Sequence, residues 1–437
     1  MKYHNPIITG FHPDPSVCRV GNDFYLVNSS FEYFPGIPIY HSTDLTHWEQ
    51  IGHVLDRKNQ LKLVSGAPNC LGIYAPTIRY HEGIFYCIVT NVGGRSGGNF
   101  FVYTTDPYGR WSNPVKLPFA GIDPSLFFDE DGRIYYTGTD TGIYIAEITF
   151  DVVRNDTPKR NELPVSIQNV KCGEKHYIWN GSGGNNPEGP HLYRIHDMYY
   201  LMIAEGGTEY CHMVTIARSK NVYGPYEACP HNPVLSNRST CLNIKAVGHA
   251  DLVEDSQGSW WAVCLGIRPL GYPFRHNLGR ETMLAPVKWE NGWPVMGDNG
   301  TVTETFEVET APGKKTRKSD FYIPGSNMTD TFCSNKLHPS WNTIYTPVSK
   351  FVKPTKQGLS LCAYDTTLSD DKPKAILVRR QEHFHFTATA TLTLESVNAG
   401  SEAGITIYMN NRHHYEAALS TVGNGEYFLI LRRRIGS

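Results

Sequence analysis

The stretch Asp14-Pro15-Ser16-Val17-Cys18-Arg19-Val20-Gly21-Asn22-Asp23-Phe24-Tyr25-Leu26 decides the fold, because its pattern returns four more times along the chain. A small or acidic residue beside Pro, Gly or Ala opens it. Some ten residues later an aromatic pair lies within a β-rich run. The later copies are Ala75-Pro76-Thr77 leading to Phe85-Tyr86, and Asp123-Pro124-Ser125 leading to Tyr135-Tyr136. Glu188-Gly189-Pro190 then leads to Tyr199-Tyr200-Leu201, and His249-Ala250-Asp251 to Trp260-Trp261. Successive starts lie 61, 48, 65 and 61 residues apart.

After most copies a strand runs into a polar turn and an aromatic, as in Tyr40-His41-Ser42-Thr43-Asp44-Leu45 with Trp48, or Tyr103-Thr104-Thr105-Asp106 with Trp111. Hairpin signals such as Gly21-Asn22-Asp23, Asp131-Gly132 and Gly292 divide the repeats. Roughly 50–65 residues holding about four short strands is the size of a propeller blade. Five units predict an all-β chain whose residues 1–308 form a five-bladed β-propeller.

Residues 309–328 change character: Glu309-Thr310-Ala311-Pro312-Gly313 runs into the basic Lys314-Lys315-Thr316-Arg317-Lys318, the mark of an interdomain linker. Beyond it, Phe384-His385-Phe386-Thr387-Ala388-Thr389 and Ile405-Thr406-Ile407-Tyr408 alternate like strands with one buried face, the latter ahead of the turn Asn410-Asn411. Residues 329–437 are expected to be a β-sandwich accessory domain, and an incomplete one.

Composition narrows the function. Forty Lys+Arg against 42 Asp+Glu, with no long run of one sign, excludes the basic face that nucleic acid or a membrane surface requires. Arg432-Arg433-Arg434 reads as part of an exposed strand. No apolar run approaches the ~18 residues of a membrane span. The start Met1-Lys2-Tyr3-His4-Asn5-Pro6 lacks the order of a secretory signal. Ten scattered cysteines without a Cys-x-x-Cys read as buried free thiols in a reducing cytosol. A cytoplasmic location is therefore expected; oligomeric state is left open, and a homo-oligomer is compatible.

The innermost strands of a propeller run along its axis, so equivalent positions at their starts face one another at one mouth. Three repeats place Asp14, Asp123 and Glu188 at or within one residue of that position. Crowded carboxylates repel, and at least one should stay protonated near neutrality. A protonated acid facing an ionised base across a polar pocket is the equipment for glycoside hydrolysis. Phe31 and Tyr74, near the repeat starts, are placed either to stack on a sugar ring or to pack the blades. A second function class, a propeller that only binds carbohydrate or protein, has no need of the trio.

These motifs resemble glycoside hydrolase family 43. The residues that carry the resemblance are Phe11-His12-Pro13-Asp14-Pro15-Ser16, Tyr74-Ala75-Pro76-Thr77-Ile78-Arg79 and Ile122-Asp123-Pro124-Ser125-Leu126-Phe127. Pro187-Glu188-Gly189-Pro190-His191-Leu192-Tyr193, Gly248-His249-Ala250-Asp251 and Leu278-Gly279-Arg280-Glu281-Thr282 complete the set. It is most similar to the β-xylosidase and α-L-arabinofuranosidase branch, which carries a sandwich after the propeller.

The resemblance implies inverting, exo-acting hydrolysis in a dead-end pocket, with an oligosaccharide of xylan type as partner and no required cofactor. Asp14 matches the general base, Glu188 the general acid, and Asp123 a third carboxylate that orients the acid and raises its pKa. Arg280 matches a binder of substrate hydroxyls, and Phe31 and Tyr74 match the pocket wall. His249 matches an axial histidine that in some relatives helps hold a divalent cation, often Ca2+. Such sandwiches usually lend an aromatic to the pocket rim; residues 326–437 look too short to supply one. Asn180-Gly181-Ser182-Gly183-Gly184-Asn185-Asn186, ahead of Glu188, is expected to shape the leaving-group side. Three motifs are set aside: Asp129-Glu130-Asp131-Gly132 as a hairpin, His413-His414 as a surface pair, and Gly93–Gly98 as a blade connection.

Overall fold

The computed structural model describes residues 2–63, 69–93, 97–307, 321–334, 336–395 and 398–436. Much of the expected linker (309–320) and the centre of the Gly93–Gly98 connection (94–96) lie outside them. Five antiparallel sheets occupy the first three hundred residues. Their innermost strands are Ser16–Val20, Thr77–His81, Ile122–Phe128, Glu188–Ile195 and Lys245–Glu254. Each adjoins the next and the fifth adjoins the first, which closes a ring. Second strands hold the repeated aromatics: Phe24-Tyr25 lie in Asp23–Val27, Tyr199-Tyr200 in Met198–Glu205 and Trp260-Trp261 in Trp260–Ile267. This is the five-bladed propeller that the repeats predict.

The blades cohere through five apolar clusters, one between each neighbouring pair. Trp48, Trp111 and Trp261, the aromatics that follow the polar turns or head a second strand, are fully buried in them. Each such ring removes roughly 150–250 Å² from water. The ring is locked by the chain start, where Lys2–His4 pairs antiparallel with Thr305–Glu307. Asn5 adds bonds to the Leu284 and Thr303 carbonyls at 2.9 and 3.0 Å.

A buried ion pair fastens the axis. Arg79 of the second blade meets Asp251 of the fifth at 2.7 Å, and the Asp251 side chain is wholly buried. Asp251 also accepts from Ser16 Oγ of the first blade (2.6 Å), the Val17 N–H (3.1 Å) and the Tyr193 hydroxyl of the fourth (2.6 Å). Arg79 reaches His191 Nδ1 at 3.0 Å, and His191 meets Ser125 Oγ of the third blade at 3.1 Å. All five blades are thus tied into one polar network. Although burial opposes it, the Arg79 guanidinium, His191 and the hydrogen bonds hold the Asp251 carboxyl far below the ordinary range.

Past the linker, Thr343–Ile344 pairs with Tyr33–Phe34 of the propeller, and Arg380 Nε donates to the Phe11 carbonyl at 2.6 Å. Among the described residues the larger sheet of this region has three strands, Glu402–Asn410, His413–Gly423 and Glu426–Ile435, and Val352–Thr355 pairs with Gly358–Leu361 in a separate two-stranded ladder. Three expectations are corrected here. Phe384–Thr389 alternates like a strand but forms no ladder among the described residues, because alternation fixes two faces and supplies no neighbour for the backbone. His413 is exposed, yet His414 is buried, its Nε2 3.0 Å from Glu416 Oε1. All ten cysteines are free, but Cys70, Cys211, Cys241, Cys333 and Cys362 are exposed.

Replacing Asp251 by Ala strands the Arg79 charge in a dry interior. The expected cost is about 3–5 kcal/mol, read as a lower urea midpoint at unchanged slope. Ser16→Ala, which removes one donor of several, should cost only about 1 kcal/mol.

Candidate active site

Each blade carries the same local device at its repeat start. In the third, fourth and fifth blades the register of first and second strands shifts by one residue between Ile122 and Ser125, Glu188 and His191, and Gly248 and Asp251. The first two blades share the offset: Ser29 N–H bonds to the Pro13 carbonyl ahead of the Ser16–Val27 pair, and Tyr74 N–H to the Thr90 carbonyl ahead of Thr77–Ile88. A bulge re-aims a side chain at the end of a ladder. Asp14 (φ 53°), Asp123 (φ 52°), Gly189 (φ 60°) and His249 (φ 48°) all adopt left-handed backbone there. Aspartate tolerates that region better than most residues, and glycine enters it freely.

The bulges bring Asp14, Asp123 and Glu188 into one electrostatically coupled group. Asp14 accepts from Arg280 Nη1 at 2.7 Å and from the Ser29 hydroxyl. Burial pushes the Asp14 carboxyl up, but the Arg280 guanidinium, His249 and the Ser29 hydroxyl outweigh it and hold it below the ordinary carboxylate range. Asp123 has no cation of its own. Burial, then the charges of Glu188 and Asp14, drive it well above its ordinary value, although the Gly189 N–H donates to it at 3.1 Å. Burial and the Asp14 charge push Glu188 up to about 7 against the pull of Arg280. Near neutrality the trio therefore offers an ionised carboxylate on the Arg280 side and protonated carboxyls opposite. Such a pair can deprotonate water and protonate a leaving oxygen.

Phe31, at φ 46°, stacks on Phe11 with ring centres 5.7 Å apart and meets Tyr74 edge-on at 5.6 Å. The Arg280 guanidinium lies 5.5 Å from the Phe31 ring centre and 5.9 Å from that of Phe11. Phe31 and Tyr74 therefore pack together at the Arg280 side of the trio, and Phe11 packs with them. Gly279 is required beside Arg280, because a Cβ there would meet Phe11 Cδ2 at 2.6 Å and φ is +77°.

Sequence reading missed the supports of Glu188. Wholly buried Glu205 accepts from the Ser182 and Gly184 N–H groups at 2.9 and 2.8 Å and from the Thr215 hydroxyl, so it anchors the glycine-rich loop before Glu188. A Cβ at Gly181 would sit 2.5 Å from the Glu205 carboxyl, which explains that glycine. His249 lies against Gly189 and feels Asp14 and Arg280. Among the described residues no group of three or more His, Cys, Asp or Glu is gathered as a ligand set.

The family model for glycosyl hydrolases family 43 matches residues 3–294. The chain belongs to that family. A second match, the β-xylosidase C-terminal concanavalin A-like domain, spans 329–437. A non-reducing-end α-L-arabinofuranosidase of Bacteroides ovatus is 41% identical over 99% of this chain and 78% of its own length. A xylosidase/arabinosidase of Butyrivibrio fibrisolvens is 40% identical over 94% and 79%. Among solved structures, that described as Bacteroides ovatus Xyloglucan PUL GH43B superposes with a TM-score of 0.84 at 38% identity, covering all of this chain and 83% of that one. Family 43 membership makes the molecule a glycosidase acting on a carbohydrate substrate.

Removing the Arg280 charge takes away the leading influence that lowers Asp14. Arg280→Met is expected to move the Asp14 titration upward, measured by carboxyl 13C NMR, with the fold intact by circular dichroism.

Proposed function

We propose that this family 43 enzyme removes terminal xylose from β-1,4-xylo-oligosaccharides by single displacement with inversion, and that it also accepts terminal α-L-arabinofuranose. The observation that carries the reading is the split within one buried trio. Asp14 is kept ionised by Arg280, while Glu188 is pushed up to about 7 and Asp123 well above its ordinary value. In this reading Asp14 takes a proton from the attacking water and Glu188 gives one to the departing glycosidic oxygen. The Asp14 charge keeps Glu188 protonated, and Asp123 orients it through the Gly189 N–H. Arg280 binds sugar hydroxyls beside Asp14, and Phe31 and Tyr74 give the sugar an apolar wall.

The arabinose side of the reading is supported by the names of the relatives, one an arabinofuranosidase and one a xylosidase/arabinosidase. Parallel assays on nitrophenyl β-xyloside and α-L-arabinofuranoside rank the two, and failure on both by folded protein would remove the proposal. Among the described residues no set of three or more His, Cys, Asp or Glu is gathered that would hold a cation at His249, so no step is assigned to one. Work in a reducing compartment is proposed too, supported by ten unpaired thiols, five of them exposed.

The acid must be protonated and the base ionised, so kcat/KM is expected to be bell-shaped in pH. Activity falls as pH rises through the raised Glu188 value near 7, and again as pH drops through the lowered Asp14 value. The limbs belong to the coupled group as a whole. Glu188→Gln should cost about 10²–10⁴-fold on xylobiose and far less on a dinitrophenyl xyloside, whose leaving group needs no acid. NMR of the first sugar released from a β-xyloside should show the α-anomer. Prompt β-anomer would instead indicate a covalent intermediate.

A further inference from the structure

Beside Glu188 lies a histidine to which nothing so far gives a task. His212 ends the connection 206–212 and immediately precedes Met213–Ser219, the third strand of the fourth blade. Its side chain is wholly buried, and its Nε2 stands 3.8 Å from Glu188 Oε1. Neither ring nitrogen has a hydrogen-bond partner of good geometry among the described residues, although the Ala246 backbone acts on the ring. A buried polar group left this way carries a desolvation cost of about 1–3 kcal/mol, and a purely structural position would be filled more favourably by an apolar side chain. The ring is held rigidly. A Cβ at Gly248 of the fifth blade would lie 2.5 Å from its Cγ, Nδ1 and Cε1, so glycine is needed there to seat it.

We propose that His212 is a positioning residue for Glu188: a neutral imidazole edge that dries one side of the carboxyl, fixes its orientation and leaves the other oxygen for the glycosidic bond. The inference deepens the assignment of Glu188 as the acid and rests on it. Burial, the neighbouring His249 and Arg280 lower the His212 pKa to about 3, so the ring stays uncharged wherever the enzyme works. A charged imidazolium at 3.8 Å would pull the Glu188 proton off early; a neutral ring does not. The groups around Glu188 are then Asp14, whose charge holds its proton, Arg280, which opposes it, Asp123, itself driven well above its ordinary value, and the uncharged His212. His212 takes no proton in the reaction. The proton passes from Glu188 to the leaving oxygen while Asp14 takes one from water.

His212→Ala opens this side of the carboxyl to water. The alkaline limb of kcat/KM is expected to move to lower pH, and turnover of xylobiose at pH 7 to fall about 10²-fold, within the range of a lost proton transfer. Dinitrophenyl xyloside should lose less than about threefold, since it needs no acid. His212→Gln, neutral and of similar reach, should restore most of the xylobiose rate and hold the variant fold should the alanine form be unstable. Equal loss on both substrates with an unmoved alkaline limb, in either variant, would overturn the proposal and leave a packing role. A Glu188→Gln variant that lost xylobiose and dinitrophenyl xyloside turnover equally would instead remove the acid assignment beneath it.

Discussion

A charge that cannot be solvated holds this molecule together. Asp251 is sealed at the propeller axis, and its two oxygens are satisfied only if the first, second and fourth blades all deliver a donor. Arg79, which faces it, brings in the third blade through His191 and Ser125. Apolar packing between blades favours any close approach of the sheets, because the hydrophobic effect has no direction. The ion network does have direction. It is met at one rotation and one height of each inner strand, and the bulges that carry the site residues lie immediately before the strand positions it grips. Ser16 follows Asp14 by two residues, Ser125 follows Asp123 by two, and Asp251 follows His249 by two. Fixing the axis therefore fixes the mouth.

At that mouth the electrostatics are decided by one unequal gift. Three carboxyls share a largely dry hollow, and a single guanidinium touches one of them. Burial raises all three, yet only Asp14 has a bonded cation to reverse the effect. Once Asp14 is ionised, its charge becomes a reason for the other two to keep their protons. Arg280 thus sets the protonation of Glu188 as well as that of Asp14, with no need to touch Glu188. The same guanidinium lies near the faces of Phe11 and Phe31, so the apolar wall and the charged floor are one construction.

Most of this was legible in the sequence because the information was local and repeated. A small or acidic residue beside Pro, Gly or Ala at the repeat start and an aromatic pair some ten residues on recur five times, and symmetry turns such recurrence into a shared axis. What stayed hidden depends on contacts between repeats. Arg79 and Asp251 were visible within their motifs, but nothing local says that they pair across 172 residues. Glu205 and His212 sit at unremarkable strand ends, and their importance comes from a loop and a carboxyl that other parts of the blade bring to them. The second region misled in two places, at Phe384–Thr389 and at His414, because pattern states which faces a segment has and not what lies beside it.

The fourth blade shows where symmetry yields to chemistry. Its repeat position, with left-handed backbone after the strand offset, is held by Gly189, while the carboxyl comes from one residue earlier. An aspartate at 189 would have repeated the geometry of Asp14 and Asp123 and lost the backbone freedom that glycine supplies. Moving the carboxyl back by one residue and lengthening the side chain by one methylene lets Glu188 enter the hollow from another angle. It also frees the Gly189 N–H to face Asp123, and brings Glu188 beside His212 in place of a cation. The two aspartates keep the symmetric position and the glutamate abandons it. That single displacement allows three chemically similar groups to meet without becoming equivalent, and acid–base chemistry requires that they differ.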